Sequence, residues 1–306
     1  MQLKYLERWE LKASVRSIPR RFFNDTQTGY FYPLSRQPIC LHPIIQQLGD
    51  QVKHYILAQS FYRYANEISI IETRVVNQSA MRIANNLLPV RFPDSFRAIA
   101  LTIIVDEAYH AYVALDALKQ IEEYTQIKPL NLPNQIEIEK AISLVEEKLD
   151  PKYHHSFALI AVALAENTLT KEIVTMIDKA ETHPFFQFLI KDHLSDESRH
   201  SAYFKDVLEF FWSNLDEESK REILPHLPNF IINYLDTTIQ KRFDRKVLES
   251  LHLPQEEINL ILEDIYEGYV LSETHPMVKN LLFLLNKSGI LTTENSQELF
   301  KKWIEN

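Results

Sequence analysis

The chain has 306 residues, 45% of them hydrophobic and 25% charged, which is enough for a full core and excludes a disordered, collagen-like or low-complexity polymer. With 33 Lys and Arg against 42 Asp and Glu, the formal charge of −9 gives no basic footprint for nucleic acid. The single Cys40 excludes an internal disulfide framework and any thiolate-held zinc or iron–sulfur site, and points to a reducing cytoplasm.

In chain order, residues 1–50 read as an N-terminal arm. Its first 23 residues mix Glu7 and Glu10 with bases around no apolar core, so they are expected to be solvated and are not a signal peptide. A long helical pattern over 51–86, with room for an interruption, ends at the proline-bounded turn 88–93. Asp94 or Ser95 is expected to cap the next helix, which continues to Tyr124. A proline-punctuated crossover follows and holds a short amphipathic helix near 137–149. Third and fourth helices run over 152–180 and from Pro184 to Trp212, and shorter helices between prolines fill 214–306.

No glycine lies between Gly49 and Gly268, which removes phosphate-cradling loops, Rossmann turns and tight hairpins from that stretch. The longest uninterrupted apolar run, 157–165, is far short of a membrane span, so no crossing is expected. Two helical hairpins joined by one long crossover give an all-α, single-domain fold over 1–306. It is a ferritin-like four-helix bundle at 51–213 with additional N- and C-terminal helices.

Each of the four long helices carries acids or histidines on the stripe that should face the core. These are Glu72 on the first, Glu107 and His110 on the second, Glu166 on the third, and His193, Glu197 and His200 on the fourth. At about 100° per residue, positions 193, 197 and 200 fall within an arc of about 60° on the apolar side. Four buried carboxylates repel one another and lose hydration, and no Lys or Arg run on these stripes compensates. Two divalent metals would.

Chain spacing gives an independent check. Residues equidistant from an antiparallel turn lie level with each other. The midpoint of Glu72 and Glu107 falls within the 88–93 turn, and that of Glu166 and Glu197 lies beside His183-Pro184. The second and fourth helices also repeat one motif, Asp106-Glu107-x-x-His110 and Asp196-Glu197-x-x-His200. Glu and His at i and i+3 grip one metal, and the preceding Asp can hydrogen-bond an imidazole and fix its tautomer. Glu67 shares a more polar stripe with Arg74, His154 and His155 read as surface, and Cys40 reads as structural. Carboxylate and imidazole donors without thiolate suit iron, with manganese behind it, rather than structural zinc. Two Fe(II) ions in an apolar enclosure can deliver electrons to O2, so an oxygenase or oxidase is expected.

The set Glu72, Glu107, His110, Glu166, His193, Glu197 and His200 resembles the ferritin-like non-haem di-iron N-oxygenases typified by p-aminobenzoate N-oxygenase. Their distinguishing extra histidine stands one turn before the second Glu-x-x-His, where His193 stands here. The resemblance covers about 50–213. It implies that these seven residues bind two irons, and that an amine, by family default an arylamine, is oxidised by O2 to hydroxylamine and onward to nitroso or nitro. It also implies an external electron donor and a homodimer. Competing readings are oxidation at carbon by the same site, and a non-enzymatic ferroxidase or storage protein. The tyrosine expected of a radical-generating reductase subunit is replaced by Ala114. A metal-free helical interaction module is at odds with so complete a donor set.

Overall fold

A computed structural model describes residues 2–24, 26–177, 179–269, 271–272 and 274–304. Helices α1 (Gln2–Lys12), α2 (Ser14–Ser17) and α3 (Pro43–Gln47) lead into α4 (Asp50–Ile70), which passes through a π-helical stretch, Ile71–Val76, into α5 (Asn77–Ala84). α6 (Asp94–Thr125), the short α7 (Glu137–Glu146), α8 (His154–Val174) and α9 (Pro184–Asn214) complete the central part. α10 (Glu217–Ile223), α11 (Leu227–Tyr234), α12 (Thr238–Ser250), α13 (Gln255–Tyr266), α14 (Pro276–Lys287) and α15 (Glu294–Ile304) follow. Among the described residues there is no β-strand, only an isolated parallel bridge between Tyr30 and Thr182.

The α4–α5 helix packs along α6, and α8 along α9, while α6 against α9 and α5 against α8 close a four-helix bundle. Proline and histidine set the second hairpin. The ring nitrogen of His183 accepts the Phe185 N–H at 3.1 Å, and Pro184 opens α9 where its missing N–H is not needed. The first hairpin differs from expectation at its cap. Pro93, not Asp94 or Ser95, occupies the cap position and no side chain caps the helix, because the Asp94 carboxylate turns to Arg97 at 2.7 Å.

α8 is buried on nearly all sides from Phe157 to Glu166 rather than along one stripe. α7 and α14 cover its outer faces. A helix that is apolar all round in sequence is a central helix in the fold.

The arm is only partly solvated. Ala13 and Ser14 are buried, and Phe31, Tyr32, Ile39, Cys40 and Ile45 join the core. The strap is pinned by ion pairs Arg20–Asp116 at 2.6 Å and Arg21–Asp192 at 2.8 Å, to α6 and α9 respectively. Gly29 sits at φ +144°, and a Cβ there would stand 2.5 Å from the His183 nitrogen. Only glycine allows that approach beside the Tyr30–Thr182 bridge. Composition misled because bases that pair with specific acids look the same in sequence as bases that face water.

α6 is long and apolar enough by composition to pass for a membrane span, which a search for uninterrupted runs overlooked. It is a bundle helix whose Asp106, Glu107 and His110 face inward, while Leu101, Val105, Tyr112 and Leu115 lie on its exposed face.

Two apolar cores result. One joins the α5, α8 and α9 C-terminal half to α7, α11 and α14. The other joins the start of α4 and α9 to residues 31–45, α12 and α13. A polar layer lies between them.

Candidate metal centre

That layer holds Glu72, Glu107, Glu166, Glu197 and His200 at 0–1% exposure, with His110 at 5%. Ligand atoms of Glu72, Glu107 and Glu166 lie within 4.8 Å of one another, as do those of Glu107, His110, Glu197 and His200, and those of Glu72, His110, His193 and Glu197. The structure therefore brings together all seven residues picked out in the sequence. Glu67 is set apart, paired with Arg63.

Glu72 reaches the cluster from the π-helical stretch. Ile70, Ile71 and Glu72 are all buried there. Single π turns inside α-helices recur at functional positions.

The two Asp-Glu-x-x-His motifs interlock. The Nδ1 of His110 lies 2.8 Å from Glu107 Oε2 and the Nδ1 of His200 lies 3.2 Å from Glu197 Oε1, so both Nδ1 atoms face the carboxylates. The Nε2 atoms cross over. His110 on α6 meets Asp196 of α9 at 3.1 Å, and His200 on α9 meets Asp106 of α6 at 3.1 Å. Nε2–H donating to an aspartate leaves Nδ1 as the lone-pair nitrogen, the tautomer a metal requires.

Arg199, buried at 8% exposure, lies between these aspartates, 2.5 Å from Asp196 and 3.3 Å from Asp106. Sequence reading missed this arginine because its neighbours in the stripe pattern did not mark position 199 as inward. It offsets one of the two aspartate charges and is paired to the aspartates rather than to the four glutamates.

The glutamates have spare acceptors. Both oxygens of Glu166, Oε2 of Glu72 and Oε2 of Glu197 are buried without a hydrogen bond, and Glu107 Oε1 lies 2.8 Å from the His200 Nδ1 without hydrogen-bond alignment. His193 Nε2 is similarly placed, 3.2 Å from Glu197 and 3.5 Å from Glu72. Unsatisfied buried acceptors cost about 1–3 kcal/mol each. Oxygens and imidazole nitrogens orphaned around one point are the donor set of a divalent metal.

The electrostatics of the cluster agree with this donor set. Burial, then the nearby Glu107 charge, pushes Glu72 up to about 8, and burial with Glu197 and Glu107 raises Glu166 well above the usual carboxylate range. Burial opposes ionisation of Glu107 and Glu197 too, but the His200 charge and imidazole contacts outweigh it and lower both. Burial likewise disfavours charged imidazoles, yet the aspartate and glutamate partners hold His110 and His200 well above the ordinary value. Without metal the layer is held together by shared protons, and a metal must displace them.

Two cavities lie in the bundle, of which only the smaller is lined by residues of the layer. A small apolar one of about 60 Å3 touches His110 and His193 between Phe61, Val113 and Ile190. A larger one of about 420 Å3 lies between α4 and α8, bounded by Ile71, Leu169, Tyr234 and the pairs Arg63–Glu67 and Arg36–Glu172. Tyr64 and Ile68 line both. The remaining outside candidates are structural in place. Cys40 is a buried free thiol, pushed up to about 12 by burial. His154 bonds the Leu149 carbonyl at 2.8 Å, and His155 is exposed.

Residues 19–258 match the family described as P-aminobenzoate N-oxygenase AurF. The chain is also 19% identical over 198 residues to the 4-aminobenzoate N-oxygenase of Streptomyces thioluteus, covering 64% of this chain and 59% of that relative. It thus spans about three-fifths of that relative's length. The family match takes in all four bundle helices and every residue of the polar layer, and the chain belongs to the p-aminobenzoate N-oxygenase AurF family.

Proposed function

We propose that the chain is a non-haem di-iron, O2-dependent N-oxygenase that converts an amine, an arylamine in the first instance, to hydroxylamine and onward to nitroso or nitro. One observation carries the reading: seven inward acid and imidazole groups, with unpaired buried oxygens aimed at one another, on a chain of this family. Glu72, Glu107, His110, Glu166, His193, Glu197 and His200 would hold the ions. Two bound irons would supply redox equivalents for activating O2 and passing oxygen to nitrogen.

The chain's own residues supply the surroundings. Asp196 and Asp106 orient the His110 and His200 imidazoles, and neutral His193 adds a nitrogen donor without altering site charge. The 60 Å3 cavity sets apolar walls beside His110 and His193, and is too small for an aromatic ring, which needs on the order of 150 Å3. The 420 Å3 cavity has the size for an aromatic amine, so Tyr64 and Ile68 would stand between substrate and the ligands. Electrons must come from an external donor, a reductase or ferredoxin-like protein. The exposed apolar face of α6 suits a second copy of the chain in a homodimer, and the free Cys40 suits a reducing cytoplasm.

Metal analysis followed by O2 addition to the Fe(II)-loaded protein with a panel of amines tests the reading. Two irons per chain with hydroxylamine, nitroso or nitro product supports it. Product oxidised at carbon only, or a large shell-like assembly that takes up iron without oxidising amines, overturns it.

A further inference from the structure

Residues 1–18 lie outside the family match, yet two of them complete the layer described above. Ser14 donates its hydroxyl to Asp196 Oδ2 at 2.5 Å and its backbone N–H to the same oxygen at 3.2 Å. Trp9 donates its indole N–H to Asp106 Oδ1 at 2.9 Å. Each aspartate passes the contact to an imidazole on the opposite helix, so two parallel chains exist: Ser14–Asp196–His110 and Trp9–Asp106–His200.

Both aspartates are fully buried; Asp106 meets Arg199 and His200 at Oδ2 and Trp9 at Oδ1, while Asp196 meets Arg199 at Oδ1 and both His110 and Ser14 at Oδ2. Asp106 Oδ1 has Trp9 as its donor; take the indole N–H away and that oxygen is left unsatisfied in the interior. A carboxylate short of a donor rotates to find one, and the imidazole it orients turns with it. Arg20 and Arg21 tie the strap to Asp116 and Asp192 on the same two helices.

We propose that Trp9 and Ser14 are positioning residues for the metal centre. The N-terminal strap fixes the two aspartates, and each strap donor sets the orientation of one particular imidazole. The inference rests on the metal reading above and adds that metal affinity depends on a segment outside the matched family region.

The test uses the full-length chain with histidine nitrogen labelled, loaded with Zn(II) as a diamagnetic probe, and follows the imidazole N–H resonances of His110 and His200. Affinities for Zn(II) and Fe(II) are measured by competition with a chelator. Ser14→Ala is expected to shift the His110 resonance and leave that of His200 in place, and Trp9→Phe to do the reverse. Each weakens metal binding about threefold to tenfold, below the 10- to 100-fold expected for loss of a direct imidazole partner. Ser14→Thr, which keeps the hydroxyl, restores both readouts. If both variants bind metal as the parent does, or perturb both imidazoles alike, the strap has no positioning role. If the unaltered chain binds neither Zn(II) nor Fe(II), the metal reading itself has failed, and this inference with it.

Discussion

Glu166 offers the sharpest separation of function from stability. Both its carboxyl oxygens are buried without a partner, its exposure is 0%, and its neighbours are Glu197, Glu107 and Glu72. If the residue exists to hold metal, the metal-free protein is better without it. Replacing it with Met keeps the length of the side chain and removes two unsatisfied acceptors worth about 1–3 kcal/mol each. Allowing for a proton shared within the cluster, Glu166→Met should stabilise the metal-free protein by about 2–4 kcal/mol. At about 2 °C per kcal/mol for a chain of this size, the unfolding midpoint rises by about 4–8 °C. Iron cancels most of that difference. Ligand at 100 times its dissociation constant stabilises by about 2.7 kcal/mol, and at 1,000 times by about 4.1 kcal/mol, and the variant should forfeit most of that gain. Thermal unfolding of both proteins, each with a chelator and with anaerobic Fe(II), reads the narrowing directly. A metal-free variant less stable than its parent by more than about 1 kcal/mol would mean that Glu166 serves the fold, and equal iron stabilisation of the two proteins would refute the reasoning outright.

The other predictions concern protons, the extra histidine and the strap. In the metal-free protein Glu72 at about 8, raised from 4.5, and Glu166 and the three site histidines, all raised, bind more protons folded than unfolded across the neutral range. Stability is therefore greatest near about pH 5 and falls as pH rises towards about 8, whereas iron affinity rises over the same range; a metal-free midpoint that climbs with pH contradicts this. His193→Ala should still bind two irons through the other six side chains, with affinity lowered by at least the roughly 10- to 100-fold that loss of an orienting partner costs and amine oxidation lowered further, as metal titration beside product analysis will show. Gly29→Ala, which forces a side chain onto a positive φ and against the His183 backbone, should lower stability by about 2 kcal/mol or more in urea unfolding; an unchanged midpoint means the bridge to Thr182 is not required.

What the sequence revealed depended on whether the information was local. Glu107, His110, Glu197 and His200 stood out because an i, i+3 pair on an apolar stripe has few innocent explanations; Glu72 and Glu166 stood on the apolar stripes of the other two helices, and the hairpin midpoints gave them an independent check. The four long helices were legible for the same reason: their 3.6-residue period is strong and prolines end them. Features that arise between distant segments were not. Nothing in 71–76 announces a π turn, because the extra residue is absorbed to aim Glu72 and leaves no compositional mark. Pairing of Arg20 and Arg21 with Asp116 and Asp192 converts an ordinary basic arm into a strap laid along α6 and α9, and only the folded chain shows which acids they meet. The Asp-Glu-x-x-His repeat fixed that an aspartate could orient a histidine; that each aspartate serves the other motif's imidazole follows from how α6 and α9 face each other.

Anomalous scattering at the iron edge from crystals of the Fe(II)-loaded protein tests the central claim most directly. The account predicts two iron peaks among Glu72, Glu107, His110, Glu166, His193, Glu197 and His200, with the Nδ1 atoms of His110 and His200 turned towards them. Iron bound elsewhere, or a polar layer that keeps its shared protons and no metal under saturating Fe(II), would contradict it.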